Sequence, residues 1–255
     1  MFDFKNEVTK RLESNRDNIA LLESAGDFML KSTVPKYSYN FFWLGRPIIQ
    51  YPQDIVGMQE IIWEVKPDLI IETGVAHGGS LILSASMLFL LDYCESVSKN
   101  LEFQATNPKR KVIGIDVDIR KHNRTEIEAH PFANRIELIQ GSSTDLETIS
   151  QVRLAAEAYS KVLVCLDSNH THEHVLQELN AYSPLVSSGS YCIVFDTIIE
   201  ALPQNTYPDR PWGPGNSPLS AVRVFLGEHP EFEIDESMDS KLLISVARNG
   251  YLRKK

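Results

Sequence analysis

Hydrophobic positions along the chain change period several times, and each change marks an element. Residues 1–31 set Val8, Leu12, Ile19, Leu22, Phe28 and Leu30 among charges at helical spacing. Such a helix can pack on its own domain or on another subunit. Residues 55–65 repeat the helical period through Ile55, Val56, Met58, Ile61, Ile62 and Val65, and Pro67 stops it. Between these helices, residues 33–54 hold six aromatics and three prolines, too irregular for one helix or strand. This aromatic segment is expected to fold over a ligand as a lid or to fill the gap between helix and sheet.

Beyond residue 67 the period shortens. Apolar runs at 68–73, 111–118, 135–139, 161–167 and 191–195 are too short for helices and rich in Val and Ile, as strands covered on both faces are. Helical patterns separate them, from Ser80 to about residue 93 and over 146–160; residues 95–110 read as a polar surface insertion. A helix over 219–228, a strand at 232–234 and a last strand at 241–247 follow. The order predicts an α/β fold: a doubly wound, mostly parallel seven-stranded sheet with an antiparallel edge strand. Residues 1–54 form the helical and aromatic extension, and residues 55–255 the Rossmann-like domain.

The chemistry centres on ETGVAHGGS, from Glu72 to Ser80. Strand, glycine loop and helix in succession make a nucleotide-type site, because glycines let backbone approach a ligand and a helix start offers unpaired N–H groups. The loop lacks the G-x-G-x-x-G spacing of dinucleotide sites and places a carboxylate before its first glycine. Glu72 would repel a pyrophosphate; it suits the ammonium and sulfonium of S-adenosylmethionine. Gly74, Gly78 and Ser80 join Glu72 as candidate cofactor contacts. At the end of the second strand Asp116, with Asp118 in reserve, is the candidate partner for ribose hydroxyls. After the third strand Gly141 and Ser143 are candidates for the adenine border, and Asp145 is read as a helix cap.

Asp167 ends the fourth strand and Asp196 follows the fifth, which delivers two carboxylates to one edge of the sheet. Hard oxygen ligands at adjacent strand tips suit Mg²⁺. His170, three residues past Asp167, is the candidate general base, since imidazole titrates near neutral pH. His172 and His174 read as solvated residues at a helix start, although His170 and His174 could share a helix face and so a transition metal. The proline- and glycine-rich loop with Trp212 has the length and irregularity of a lid.

A net charge of -9 argues against binding nucleic acid or an anionic membrane. The three cysteines lack metal or C-x-x-C spacing and read as free thiols of a reducing compartment. No signal-peptide pattern opens the chain, and the apolar run at 81–91 falls short of the ~20 residues that cross a bilayer. A cytoplasmic protein is expected.

ETGVAHGGS, VIGIDVDIR, LDSNHTHEHV, DRPWGPGNSP and KLLISVARNGYLRK, with NFFWLGRPIIQYPQD before them, resemble the cephalosporin hydroxylase family from about residue 33 to the end. Despite the family's name, the resemblance implies a class I S-adenosylmethionine-dependent methyltransferase fold with a divalent-metal site, acting on hydroxyls of sugars and small metabolites. It implies that Glu72, Gly74 and Ser80 form the methionine-end pocket, Asp116 holds the ribose, residues 141–143 border the adenine, and Asp167 and Asp196 bind metal. Catechol O-methyltransferases are similar at a greater distance, with a lysine base near the place of His170. The chain departs from these patterns at Thr197, where an amide ligand is expected, and at Phe195, where a metal-binding relative has glutamate. The expected protein is a metal-assisted O-methyltransferase, self-associating, with a small-molecule or sugar acceptor. An iron-dependent hydroxylase using the histidine cluster and a noncatalytic cofactor-binding protein are the alternatives.

Overall fold

The computed structural model describes residues 2–255. The N-terminal helical pattern resolves into α1 (Phe2–Asp17) and α2 (Ile19–Thr33). They part at Asn18, whose Oδ1 accepts a hydrogen bond from the Leu21 N–H at 3.1 Å and so starts the second helix. Both lie on their own domain: Asn15 donates to the Ser240 carbonyl at 3.2 Å, and Met29 packs with Tyr51 and Ile198. The aromatic segment folds as a hairpin of β1 (Phe41–Trp43) and β2 (Arg46–Ile48), followed by α3 (Pro52–Val65). Pro52 can open that helix because its first turn has no use for the missing N–H.

The main sheet then assembles from β3 (Leu69–Thr73), α4 (Gly79–Ser98), β4 (Lys111–Asp116), α5 (Lys121–Glu128), β5 (Ile136–Gln140), α6 (Leu146–Ala156), β6 (Val162–Leu166), α7 (His172–Tyr182), β7 (Tyr191–Val194), α8 (Pro218–Glu228), β8 (Phe232–Ile234), α9 (Glu236–Leu242) and β9 (Tyr251–Lys254). Its order is β5-β4-β3-β6-β7-β9-β8, seven strands, parallel except for β9, which runs antiparallel between β7 and the edge strand β8. Alternate residues of each strand enter opposite cores. Ile70, Val112, Leu163 and Ile193 pack with α3 and α4, whereas Ile71, Ile113, Val164 and Val194 pack with α6, α7 and α8. The direction of winding reverses between β3 and β6, so their carboxyl ends open a crevice.

Two expectations are corrected. The segment at 241–247 is not a strand; its first residues end α9, and the strand paired with Phe232–Ile234 is Tyr251–Lys254. The run is apolar because Leu242 and Ala247 are buried in the core, while its backbone turns around Asp54, fully buried at the start of α3, which accepts hydrogen bonds from Ser245 Oγ, the Val246 N–H at 3.0 Å and Tyr251 Oη at 3.0 Å. Helix α4 also outruns the run read from sequence. At 20 residues it is long and apolar enough to cross a bilayer, but Leu81, Ile82, Leu83, Ala85, Leu88 and Leu91 are buried in the fold, as in a core helix.

Candidate active site

The glycine loop leaves β3 at Thr73 and is fixed from three sides. Asp116 at the tip of β4 accepts from the N–H groups of Val75 (2.8 Å) and Ala76 (3.3 Å), and its other oxygen accepts from Asp118 N–H. Asn123 donates to the Ala76 carbonyl at 2.8 Å, while Arg46 of the hairpin donates to the His77 carbonyl at 2.7 Å. Asp116 therefore shapes the loop. Gly74 has a φ of +91°, and a Cβ there would stand 2.0 Å from the Asp167 carbonyl oxygen. No other residue allows the loop to lie so close to the tip of β6. Gly78, also at positive φ, packs its bare Cα against Ile127, a contact within the fold.

Glu72 is buried and receives the Ser84 hydroxyl, with Ser80 as a second donor; burial pushes its carboxyl up from the ordinary range. Glu72, Gly74 and Ser80 line one pocket with Asp167 and Phe195, and with two residues that the sequence did not single out, Gln50 and Asp54. Gln50 reaches in from the link between β2 and α3, and its Nε2 donates to Asp167 Oδ2 at 3.2 Å.

At the tips of β6 and β7, Asp167, His170 and Asp196 converge, with one ligand atom from each within 4.8 Å of the others. His170 Nε2 lies 3.1 Å from Asp196 Oδ2, and the His170 ring meets Trp212 edge-on at 4.8 Å between centroids. The proline-rich loop thus delivers one side chain to the site. Asp196 adopts a left-handed backbone, φ +56°, which turns its carboxylate out of the strand. Burial, and then the charge of Asp196, pushes Asp167 well above the usual carboxylate range, with Glu72, Glu178 and Asp54 adding to the effect. A crowd of carboxylates with a histidine among them fits a divalent cation, which would relieve their repulsion. Thr197 contributes nothing to this set, since its hydroxyl donates to the carbonyls of Val246 (3.2 Å) and Arg248 (2.7 Å). Phe195 is buried and supplies an apolar wall.

The other two histidines are half-buried and bonded within the fold, and neither belongs to this cluster. His172 Nδ1 lies 2.8 Å from Ser220 Oγ, joining α7 to α8. His174 Nε2 lies 3.1 Å from Ser143 Oγ, 3.2 Å from Ser168 Oγ and 3.4 Å from the buried Glu178. The histidine cluster therefore disperses in three directions, and a shared site for His170 and His174 is not formed. Ser143 is buried with its hydroxyl on His174, so its side chain is engaged within the fold. Gly141 donates its N–H to the Asp116 carbonyl at 2.9 Å and ties the loop after β5 to the tip of β4. Asp145 stands at the start of α6, yet its side chain makes no capping bond.

A sheet of this order, with a carboxylate before a glycine loop at the switch point and acids at the following strand tips, defines the class I S-adenosylmethionine-dependent methyltransferase fold. Residues 35–255 match the family described as rhamnosyl O-methyltransferase/CmcI, and the chain belongs to that family. A rhamnosyl O-methyltransferase of Mycobacterium bovis is 31% identical over 202 residues, which cover 78% of this chain and 72% of that protein. An apo structure of CmcI superposes with a TM-score of 0.53 at 23% identity, covering 85% of this chain and 76% of that one. A structure of CmcI with Mg and SAM gives 0.52 at 20% identity, over 85% and 77%. The family resemblance read from the sequence and the expected class, an S-adenosylmethionine-dependent O-methyltransferase, both hold.

Proposed function

We propose that the protein methylates a hydroxyl of a sugar, a rhamnosyl group first among candidates, with S-adenosylmethionine over the glycine loop, a divalent cation on Asp167 and Asp196, and His170 beside them as the base. The observation that carries this reading is the contact of Gly74 with the Asp167 carbonyl, which sets the cofactor loop directly beside the three-residue cluster. The sugar acceptor is supported by the name of the 31% identical relative. Mg²⁺ and S-adenosylmethionine are supported by the donor set here and by the Mg and SAM held in the CmcI structure of the same fold.

The cofactor supplies an electrophilic methyl group, and the cation supplies charge that lowers the pKa of a bound hydroxyl. Glu72 and Ser80 receive the amino-acid end, Asp116 the ribose hydroxyls, and the loop from Gly141 to Ser143 the adenine edge. Asp167 and Asp196 hold the acceptor side in place. Positioning of this kind lowers barriers by on the order of 7 to 11 kcal/mol in well-oriented systems. His170, with one ring nitrogen held by Asp196, takes the hydroxyl proton on the other. Trp212 packs against that ring and limits its rotation. We further propose a cytoplasmic homo-oligomer, which fractionation and sedimentation test.

The test is calorimetric titration with S-adenosylmethionine, with and without Mg²⁺, followed by methyl transfer to rhamnosyl acceptors. Asp116→Ala should weaken cofactor binding, whereas Asp167→Ala should spare it and abolish turnover. His170→Ala should lower kcat by about 10²–10⁴-fold, the usual worth of a general base. Equal loss of cofactor binding in the two aspartate variants would defeat this division of roles.

A further inference from the structure

Gln50 is 7% exposed, and its two amide atoms have unequal fates. Nε2 donates to Asp167 Oδ2 at 3.2 Å, while Oε1 is buried without a hydrogen-bond partner. The amide turns its NH₂ end to the Asp167 carboxylate, which leaves the carbonyl oxygen as the unpaired end. A buried acceptor without a donor is costly, and in native structures a ligand or an ordered water completes the set.

No donor of the pocket that Gln50 lines reaches its Oε1. Asp54, Glu72 and Asp167 bring carboxylates, and the hydroxyls of Ser84 and Ser80 are turned to Glu72. Asp54 is already met by Ser245, Val246 and Tyr251. What the pocket lacks is a compact cation with several N–H groups. An ammonium has that chemistry, and the methionine end of the cofactor carries one.

We infer that Gln50 is a cofactor-binding residue: its Oε1 accepts a hydrogen bond from the cofactor's α-ammonium, across the pocket from Glu72, while its Nε2 holds Asp167. This rests on the methyltransferase reading and adds to it a contact from the N-terminal extension. One amide then ties cofactor occupancy to the orientation of a carboxylate in the catalytic cluster.

Two ligands separate this role from a structural one. S-Adenosylhomocysteine carries the ammonium, and methylthioadenosine shares its nucleoside and sulfur but lacks the amino-acid end. Calorimetry of Gln50→Leu should show S-adenosylhomocysteine weakened on the order of tenfold or more, as for a hydrogen bond to a charged group, with methylthioadenosine unchanged. Gln50→Glu keeps an acceptor and should restore much of the loss. Equal weakening of both ligands, or S-adenosylhomocysteine binding that Gln50→Leu leaves intact, overturns the inference alone. Failure of the unaltered protein to bind S-adenosylhomocysteine overturns the methyltransferase reading and the inference with it.

Discussion

Asp54 joins the start of α3 to the C-terminal segment, and its burial makes stability depend on pH in a direction opposite to that of most carboxylates. The residue is fully buried, and burial raises its pKa from 3.8 to about 6 against the lowering effect of its hydrogen bonds from Ser245, Val246 and Tyr251. Below pH 3.8 folded and unfolded chains both hold the proton. Between that value and about 6 the unfolded chain releases it while the folded chain keeps it, so stability falls as pH rises. At about 1.36 kcal/mol per pH unit the window is worth about 3 kcal/mol. Asp54→Asn keeps the shape and removes the ionisation. Urea unfolding of both proteins, from about pH 4 to about pH 7.5, should show the stability difference moving by about 3 kcal/mol in favour of the variant as pH rises. Asp239, also raised to about 6 by burial, titrates in the same window but is present in both proteins and cancels. Parallel curves would mean that Asp54 ionises in the fold as it does in the open chain, and would refute the argument.

Three substitutions probe other parts of the structure. Gly74→Ala puts a Cβ 2.0 Å from the Asp167 carbonyl at a φ of +91°; it should cost about 1–3 kcal/mol in urea unfolding and weaken cofactor binding in calorimetry by tenfold or more. Trp212→Ala removes the edge contact to His170, and kcat/KM for the acceptor should fall while S-adenosylhomocysteine affinity stays unchanged in titration. Arg135→Leu deletes a fully buried guanidinium paired with Asp92 and should cost about 3 kcal/mol by urea unfolding, with cofactor affinity retained because the pair lies outside the pocket.

The readable parts of this protein share a physical cause. Strands buried on both faces must be apolar throughout, so β3, β6 and β7 stand out as runs, and each run ends at the crevice. Acids at strand tips, Asp116 of β4, Asp167 after β6 and Asp196 after β7, were visible because topology alone brings such tips together. Periodicity gave no such help at 241–247, where an apolar stretch wraps a buried carboxylate instead of pairing with a strand. The three histidines show the same limit: spacing locates them near one loop, but Ser220, Ser143 and Asp196 pull each ring a different way.

Gln50 lay furthest beyond sequence reasoning. It belongs to the irregular link before α3, 117 positions from the aspartate it touches, and a lone glutamine there carries no pattern. Its meaning arises from the hairpin. Arg46 binds the glycine loop through the His77 carbonyl, so the extension is registered on the cofactor loop before its chain enters the pocket. The extension is therefore part of the active-site wall and not an appendage to it. An aromatic strap that reads as a lid or as packing serves as the strut that carries a polar side chain to Asp167, and a deletion of residues ahead of α3 would remove an active-site component along with the hairpin.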